Sequence, residues 1–250
     1  LFANILAKQK TKDSASIITP QIPVTASVKG SAERMLYNFS VKDRITSFYI
    51  DTSPIAIKNF IAKLHELKKG KRKKLRIAFC GDSMCEGDMI TQTLRKLLQQ
   101  EFGGYGVGFV PVNSVVKDMR VTVRTSCSDN WQEEDFRTKQ KTKTLYISGH
   151  VFTPNGNAWM EAEDKTTSAT ALLEKYLLFG YDVSTSINYN NSNILLDAKS
   201  KFNKQLLDNA AGNKLKISVD NSLPVFGISF ESPNGIVLDN YSFRGTGGIE

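Results

Sequence analysis

Gly81-Asp82-Ser83 follows directly on the apolar run Leu75-Arg76-Ile77-Ala78-Phe79-Cys80, which reads as a short buried strand. A helix-type pattern comes next. A serine at such a strand-to-helix junction sits where unpaired backbone N–H groups and the positive end of a helix dipole converge, which favours a developing oxyanion. Gly81 would allow the tight turn, and Gly87 a close backbone approach in the following loop. The chemistry implied is nucleophilic attack by Ser83 on an acyl carbon, although Gly-Asp-Ser is also a common turn tripeptide. A serine nucleophile needs a base, and the chain has only His65 and His150. His65 lies on the helix before the Leu75 strand, about 20 Å from Ser83 at the usual rise per residue. His150, in Ser148-Gly149-His150-Val151, reads as a surface or turn histidine.

The elements that must position Ser83 are few. Ser53 suits an N-cap and Pro54 a first turn, with Ile57, Phe60, Ile61 and Leu64 at helical spacing. Met89 to Phe102 reads as a second helix with Ile90, Leu94, Leu97, Leu98 and Phe102 along one face. After Gly103-Gly104 the pattern turns β-like up to about Pro233. Met119 to Val123, Thr144 to Ile147, Leu215 to Val219 and Val225 to Phe230 are the clearest strands, and Leu172 to Phe179 fits strand or helix. Ile236 to Asp239 reads as another buried strand. Residues 1–52 read as an extended arm with β-prone pieces at Ile17-Ile18, Gln21 to Val28 and Phe48 to Ile50.

Gly81-Asp82-Ser83-Met84-Cys85-Glu86-Gly87 after a buried strand resembles the first sequence block of the SGNH (GDSL-like) hydrolases, and Asn240-Tyr241-Ser242-Phe243-Arg244-Gly245 resembles their second. The resemblance implies that Ser83 is the nucleophile, that its own N–H is one oxyanion donor, and that the Gly245 N–H is another. Asp82 would support the serine loop or cap the Met89 helix. The run Leu94 to Val110 and the run Val225 to Gly245 are similar to bacterial peptidoglycan O-acetylesterases, in which a carbohydrate-binding-module-like β-sandwich stands between the two blocks. The fold implied is α/β, a flavodoxin-like doubly wound parallel sheet only partly present, with an inserted all-β jelly-roll or sandwich. Residues 53–106 and 235–250 would belong to the hydrolase domain and 107–234 to the insert.

The family's Gly-x-Asn-Asp and Asp-x-x-His patterns do not occur, and two parallel strands cannot close a doubly wound sheet. The sequence is therefore expected to be the N-terminal part of a longer protein, whose further residues or a protein partner would cover the sheet edge. The rival is a degenerate member kept for binding. The activity implied is removal of O-acetyl groups from a bacterial glycan in the periplasm or outside the cell. A glycan O-acetyltransferase and a glycan-binding scaffold are the alternatives.

Of 250 residues 40% are hydrophobic and 23% charged, as in ordinary globular proteins, and no apolar run is long enough to span a bilayer. The net charge of +8 includes a dense cluster from Lys68 to Lys74, without interleaved aromatics, which reads as a solvated loop rather than a nucleic-acid site. Trp131 and Trp159 could stack on a sugar ring or simply pack. Glu133-Glu134-Asp135 reads as a solvated loop without a histidine nearby. Cys80, Cys85 and Cys127 follow no zinc spacing, no Gly-rich phosphate loop is present, and no cofactor is expected.

Overall fold

The computed structural model describes residues 36–40, 45–49, 55–181, 185–220 and 222–246. The expected β-prone pieces at Ile17-Ile18 and Gln21 to Val28, and the Ser53-Pro54 helix start, lie outside the described residues. Residues 1–54 form one compact unit and residues 55–250 another. In the first, β1 (Leu36–Ser40) and β2 (Ile45–Tyr49) pair antiparallel, so this part of the expected arm is a strand pair.

The second unit opens with α1 (Ile55–Lys68), β3 (Lys74–Phe79), the one-turn α2 (Ser83–Glu86) and α3 (Thr91–Phe102). It closes with β15 (Gly235–Asn240), which pairs parallel with β3 from Gly235↔Lys74 to Asn240↔Phe79. Leu64, Leu67, Leu75, Leu98, Ile236 and Leu238 form the core between this strand pair and the helices. Among the described residues β3 has β15 on one side and no strand on the other.

The expected face of α3 forms in part, with Leu98 buried in the core and Leu94 and Phe102 packed against it, but Ile90 does not join it and Thr91 and Arg95 do. Ile90 lies outside the helix and half-exposed, and the fully buried positions are Thr91, Arg95 and Leu98, three and four residues apart. Arg95 takes a core position because its guanidinium donates to Asp88 through two nitrogens, at 2.8 and 2.9 Å, while its Nε donates to the Leu238 carbonyl at 3.0 Å. The end of α3 and the start of β15 touch backbone to backbone. A Cβ on Gly104 would lie 2.6 Å from the Ile236 nitrogen, and one on Gly235 would strike the Gly103 and Gly104 main chain. Only glycine fits at both places.

In sequence, two antiparallel sheets fall between these paired strands. One has the order β11 (Ser192–Leu196), β10 (Thr185–Tyr189), β13 (Lys214–Val219), β8 (Ala158–Asp164), β5 (Val123–Cys127). The other runs β12 (Asn203–Asp208), β9 (Glu174–Phe179), β14 (Val225–Glu231), β7 (His150–Pro154), β6 (Trp131–Asp135), with β4 (Gly108–Pro111) also on β14. Met160, Ile187 and Ile217 of the first sheet meet Phe152, Leu177 and Ile228 of the second in one core. β8 alternates buried and half-exposed residues because it has one dry face, whereas all seven residues of β14 are buried. The chain is thus mostly β-sheet with few helices.

Two expected strands are not formed. Lys117–Met119 is a 3-10 turn, so the strand starts only at Val123. Thr144 to Ile147 is irregular: Tyr146 stacks on Phe226 with ring centres 4.9 Å apart, and aromatic packing rather than a ladder holds the segment. Leu172 to Phe179 resolves as a strand from Glu174. The lysine cluster is partly neutralised, with Lys68 on Glu101, Arg72 on Glu66 and Lys74 on Glu174 and Glu231. Cys80, Cys85 and Cys127 are free thiols. No helix among the described residues is long and apolar enough to cross a membrane.

Glu231 joins the strand pair to the sheets. Its carboxylate, 1% exposed, accepts from Lys74 at 3.2 Å, Lys204 at 2.6 Å, Ser229 at 2.8 Å and Arg76. Burial pushes this carboxyl up, but the charges of Arg76 and Lys204 outweigh it and hold the pKa at about 2, below the ordinary 4.5. A carboxyl depressed by folding stabilises the fold above its unfolded pKa and loses that contribution as pH falls through the folded one. The gap corresponds to about 3 kcal/mol. Urea unfolding should therefore show Glu231→Gln less stable than wild type at pH 7, with the difference shrinking between pH 4.5 and 2. A difference independent of pH would remove Glu231 from the acid response.

Candidate active site

Ser83 is the first residue of α2 and is solvent-exposed, and its hydroxyl bonds to none of the described residues. The Asp82 carboxylate accepts from the Met84 N–H at 2.9 Å, so Asp82 caps this single turn and not the longer helix that was expected to follow. With only one helical turn behind Ser83, the macrodipole contributes little and the backbone N–H groups remain as the local source of positive potential. The glycines also differ from expectation. Gly81 is required by packing, since a Cβ there would lie 2.9 Å from the Cys85 Cβ and 3.0 Å from the Ser242 Oγ. Gly87 has φ −72° and room for a side chain, so nothing in its backbone calls for glycine.

The residues after β15 run alongside this turn. The Tyr241 N–H donates to the Phe79 carbonyl at 2.8 Å and the Phe243 N–H to the Gly81 carbonyl at 3.0 Å. Asn240 Nδ2 donates to the Cys85 carbonyl at 2.8 Å, and its Oδ1 accepts from the Ser242 N–H at 3.0 Å. The structure thereby brings the two motifs together across more than 150 residues of chain: the residues on either side of Gly245 bond to Glu86 and to Gly81, within three residues of Ser83. Gly245 itself is exposed with φ +80°, a conformation that L side chains seldom adopt.

A cavity of about 780 Å³ opens beside the turn, lined by Cys80, Gly81, Cys85, Phe136, Tyr146 and Tyr241 among others. Its size suits a small-molecule or sugar-sized group. Asp82, the residue before Ser83, also lines it.

Neither histidine reaches Ser83 through any described contact. His65 is exposed on α1. His150 is buried, not superficial: its Nδ1 lies 3.0 Å from Glu133 Oε1, and its ring packs against Phe152 and Phe243 at 4.9 and 4.8 Å. The acidic run is accordingly strand β6 with a histidine partner, because pairing with β7 sets Glu133 two residues from the position opposite His150. Glu134 accepts from Thr142 and Lys143, and Asp135 from Arg137. Trp131 packs half-buried on the sandwich core and donates Nε1–H to the Trp159 carbonyl at 3.0 Å, and the half-buried Trp159 ring has the Lys216 ammonium 5.0 Å from its centre. Among the described residues no cluster of three or more His, Cys, Asp or Glu could hold a metal.

Glu86, Asn240 and Arg244 lie within the two motifs, but the sequence alone assigns them no role.

No family model and no curated protein matches the chain. Among solved structures it is similar to a peptidoglycan O-acetylesterase, at 24% identity and TM-score 0.58, over 75% of this chain and 52% of that one. The likeness is one of fold, and the chain spans about half the length of that esterase. Two carbohydrate-binding modules also match. One, TmCBM61 with beta-1,4-galactotriose, has TM-score 0.29 and 7% identity over 44% of this chain and 88% of its own. The other, a family 11 module from Clostridium thermocellum with a mixed-linked tetrasaccharide, has TM-score 0.26 and 9% identity over 54% and 98%.

Proposed function

We propose that this chain carries the nucleophile-bearing part of a serine esterase of the SGNH type that removes O-acetyl groups from a glycan. The observation that carries the reading is the lacing of the Asn240 to Thr246 segment onto the Gly81 to Glu86 turn, which brings the residues flanking Ser83 and those flanking Gly245 to the same end of the parallel strand pair. The fold likeness to a peptidoglycan O-acetylesterase supports it. In this reading the Ser83 Oγ attacks the acetyl carbonyl carbon while a general base takes its proton, and the Ser83 and Gly245 N–H groups hold the oxyanion. The carbon–oxygen bond to the sugar then breaks, and the base returns the proton to the sugar alcohol. Water, deprotonated by the same base, cleaves the acetyl-serine and releases acetate. The resemblance places that base in an Asp-x-x-His segment that this stretch of sequence lacks. Residues 107–234 are the inserted sandwich, the open edge of β3 takes further strands of the hydrolase sheet, and the site of action is the periplasm or cell surface.

The test is acetate release by the whole protein from O-acetylated peptidoglycan and from a small aryl acetate. Release from the acetylated glycan is expected. No acetate from either substrate would defeat the reading, and transfer of the acetyl group to an added sugar in place of water would reassign it as an acetyltransferase.

A further inference from the structure

Gly245 has no described tether of its own and stands exposed with φ +80°, yet its N–H is useful only if held within a few tenths of an ångström. What holds it lies on either side. Thr246 Oγ1 donates to the Gly81 carbonyl at 3.1 Å or the Phe243 carbonyl at 2.8 Å. Arg244 is gripped by Glu86. Glu86 Oε2 accepts from the Arg244 backbone N–H at 3.0 Å and from its Nε at 3.2 Å, and Oε1 accepts from its Nη2 at 2.6 Å and from Ser114 Oγ at 3.2 Å. A single carboxylate thus binds both the main chain and the side chain of one residue, so it fixes a backbone orientation as well as a charge pair. Glu86 is buried and sits three residues after Ser83 on the same helical turn. Arg244 is the residue before Gly245, so a peptide plane gripped from the Ser83 helix leads directly into the Gly245 N–H. The Arg244 guanidinium also lies 4.9 Å from the Phe243 ring centre, which limits its swing.

We infer that Glu86 is a positioning residue for the esterase reaction: by clamping Arg244 it sets the Gly245 N–H at a fixed distance from Ser83. The inference rests on the esterase reading and deepens it. A carboxylate serving only fold stability would change the unfolding midpoint and leave the chemistry alone. A clamp on an oxyanion donor changes the transition state more than substrate binding.

The experiment uses the whole protein and an aryl acetate, with wild type, Ser83→Ala, Glu86→Gln, Glu86→Ala and Arg244→Lys. Glu86→Gln keeps the size and one acceptor and is the variant least prone to misfold. It is expected to lower kcat about tenfold with KM within about twofold, and Glu86→Ala about a hundredfold. Arg244→Lys keeps the backbone N–H contact and should fall nearer wild type. Affinity for a phosphonate mimic of the tetrahedral intermediate should fall by the same factors as kcat/KM. If hydrolysis depends on Ser83 while both Glu86 variants keep kcat and mimic affinity within about twofold, the clamp is wrong and the esterase reading stands. If wild type shows no Ser83-dependent hydrolysis, the esterase reading fails and the clamp falls with it.

Discussion

Ser83→Ala should lower acetyl-ester hydrolysis roughly a thousandfold or more, the scale on which serine nucleophiles fail when truncated. The residue is exposed and its hydroxyl serves no described contact, so the unfolding midpoint should not move, and the loss will report chemistry and not folding. This separation of chemistry from stability makes the measurement decisive. Two free thiols, Cys80 and Cys85, line the neighbouring cavity and provide an internal control. Retained activity in Ser83→Ala that is abolished by alkylation would move the nucleophile to one of those sulfurs. Retained activity that survives alkylation would remove the whole turn from the mechanism.

Asp88→Asn should cost about 3–5 kcal/mol, the usual range for breaking a buried ion pair by removing one partner. Asp88 and Arg95 are 1% and 2% exposed, and Asp88 also accepts from Thr122 Oγ1 at 2.6 Å and from Thr91 Oγ1. Burial alone would push this carboxyl up, but the Arg95 hydrogen bonds and charge, with Arg120 behind them, hold it well below the ordinary carboxylate range. An amide would leave the buried Arg95 and Arg120 without their shared anion. Backbone strain is not the cause of the expected loss, because Asp88 has φ +65° and asparagine accepts that conformation as readily. Urea unfolding at pH 7 checks the figure, and the Asp88→Asn, Arg95→Met pair should lose less than the two single changes added. A single-variant loss under about 1 kcal/mol would show the pair to be replaceable by water.

The sequence was most legible where one rule governed a segment. The run Leu75 to Cys80 and the run Ile236 to Asp239 are apolar and short, and both form parallel strands; β15 is buried as expected, whereas β3 buries only Leu75 and leaves Arg76 and Ala78 exposed. Val225 to Phe230 likewise became a strand buried throughout. Legibility failed where charge and burial conflict. Arg95 had no place on the apolar face expected for α3, yet its pairing with Asp88 makes it a core residue, while Ile90 stands before the helix and half-exposed. Glu133 and His150 are far apart as written, and only the β6–β7 register makes them partners. Thr144 to Ile147 has strand composition, but the Tyr146 ring finds aromatic neighbours and no ladder is formed. The same limit hid the Glu86–Arg244 contact, because an ion pair spanning 158 residues has no local signature.

The parallel pairing of β3 with β15 also has a temporal side. Arg76 and its partner Asp239 are 163 residues apart, and every strand of both antiparallel sheets is written between them. On a ribosome, β3 and the Ser83 turn leave the exit tunnel long before the strand that completes them. Closing so large a loop is cheap only once the intervening chain has condensed into its own compact body. The sandwich is expected to fold first, after which its ends deliver β15 to β3. Until that moment β3 is an unpaired edge bearing exposed apolar residues, the kind of segment a nascent chain must keep from pairing with its neighbours.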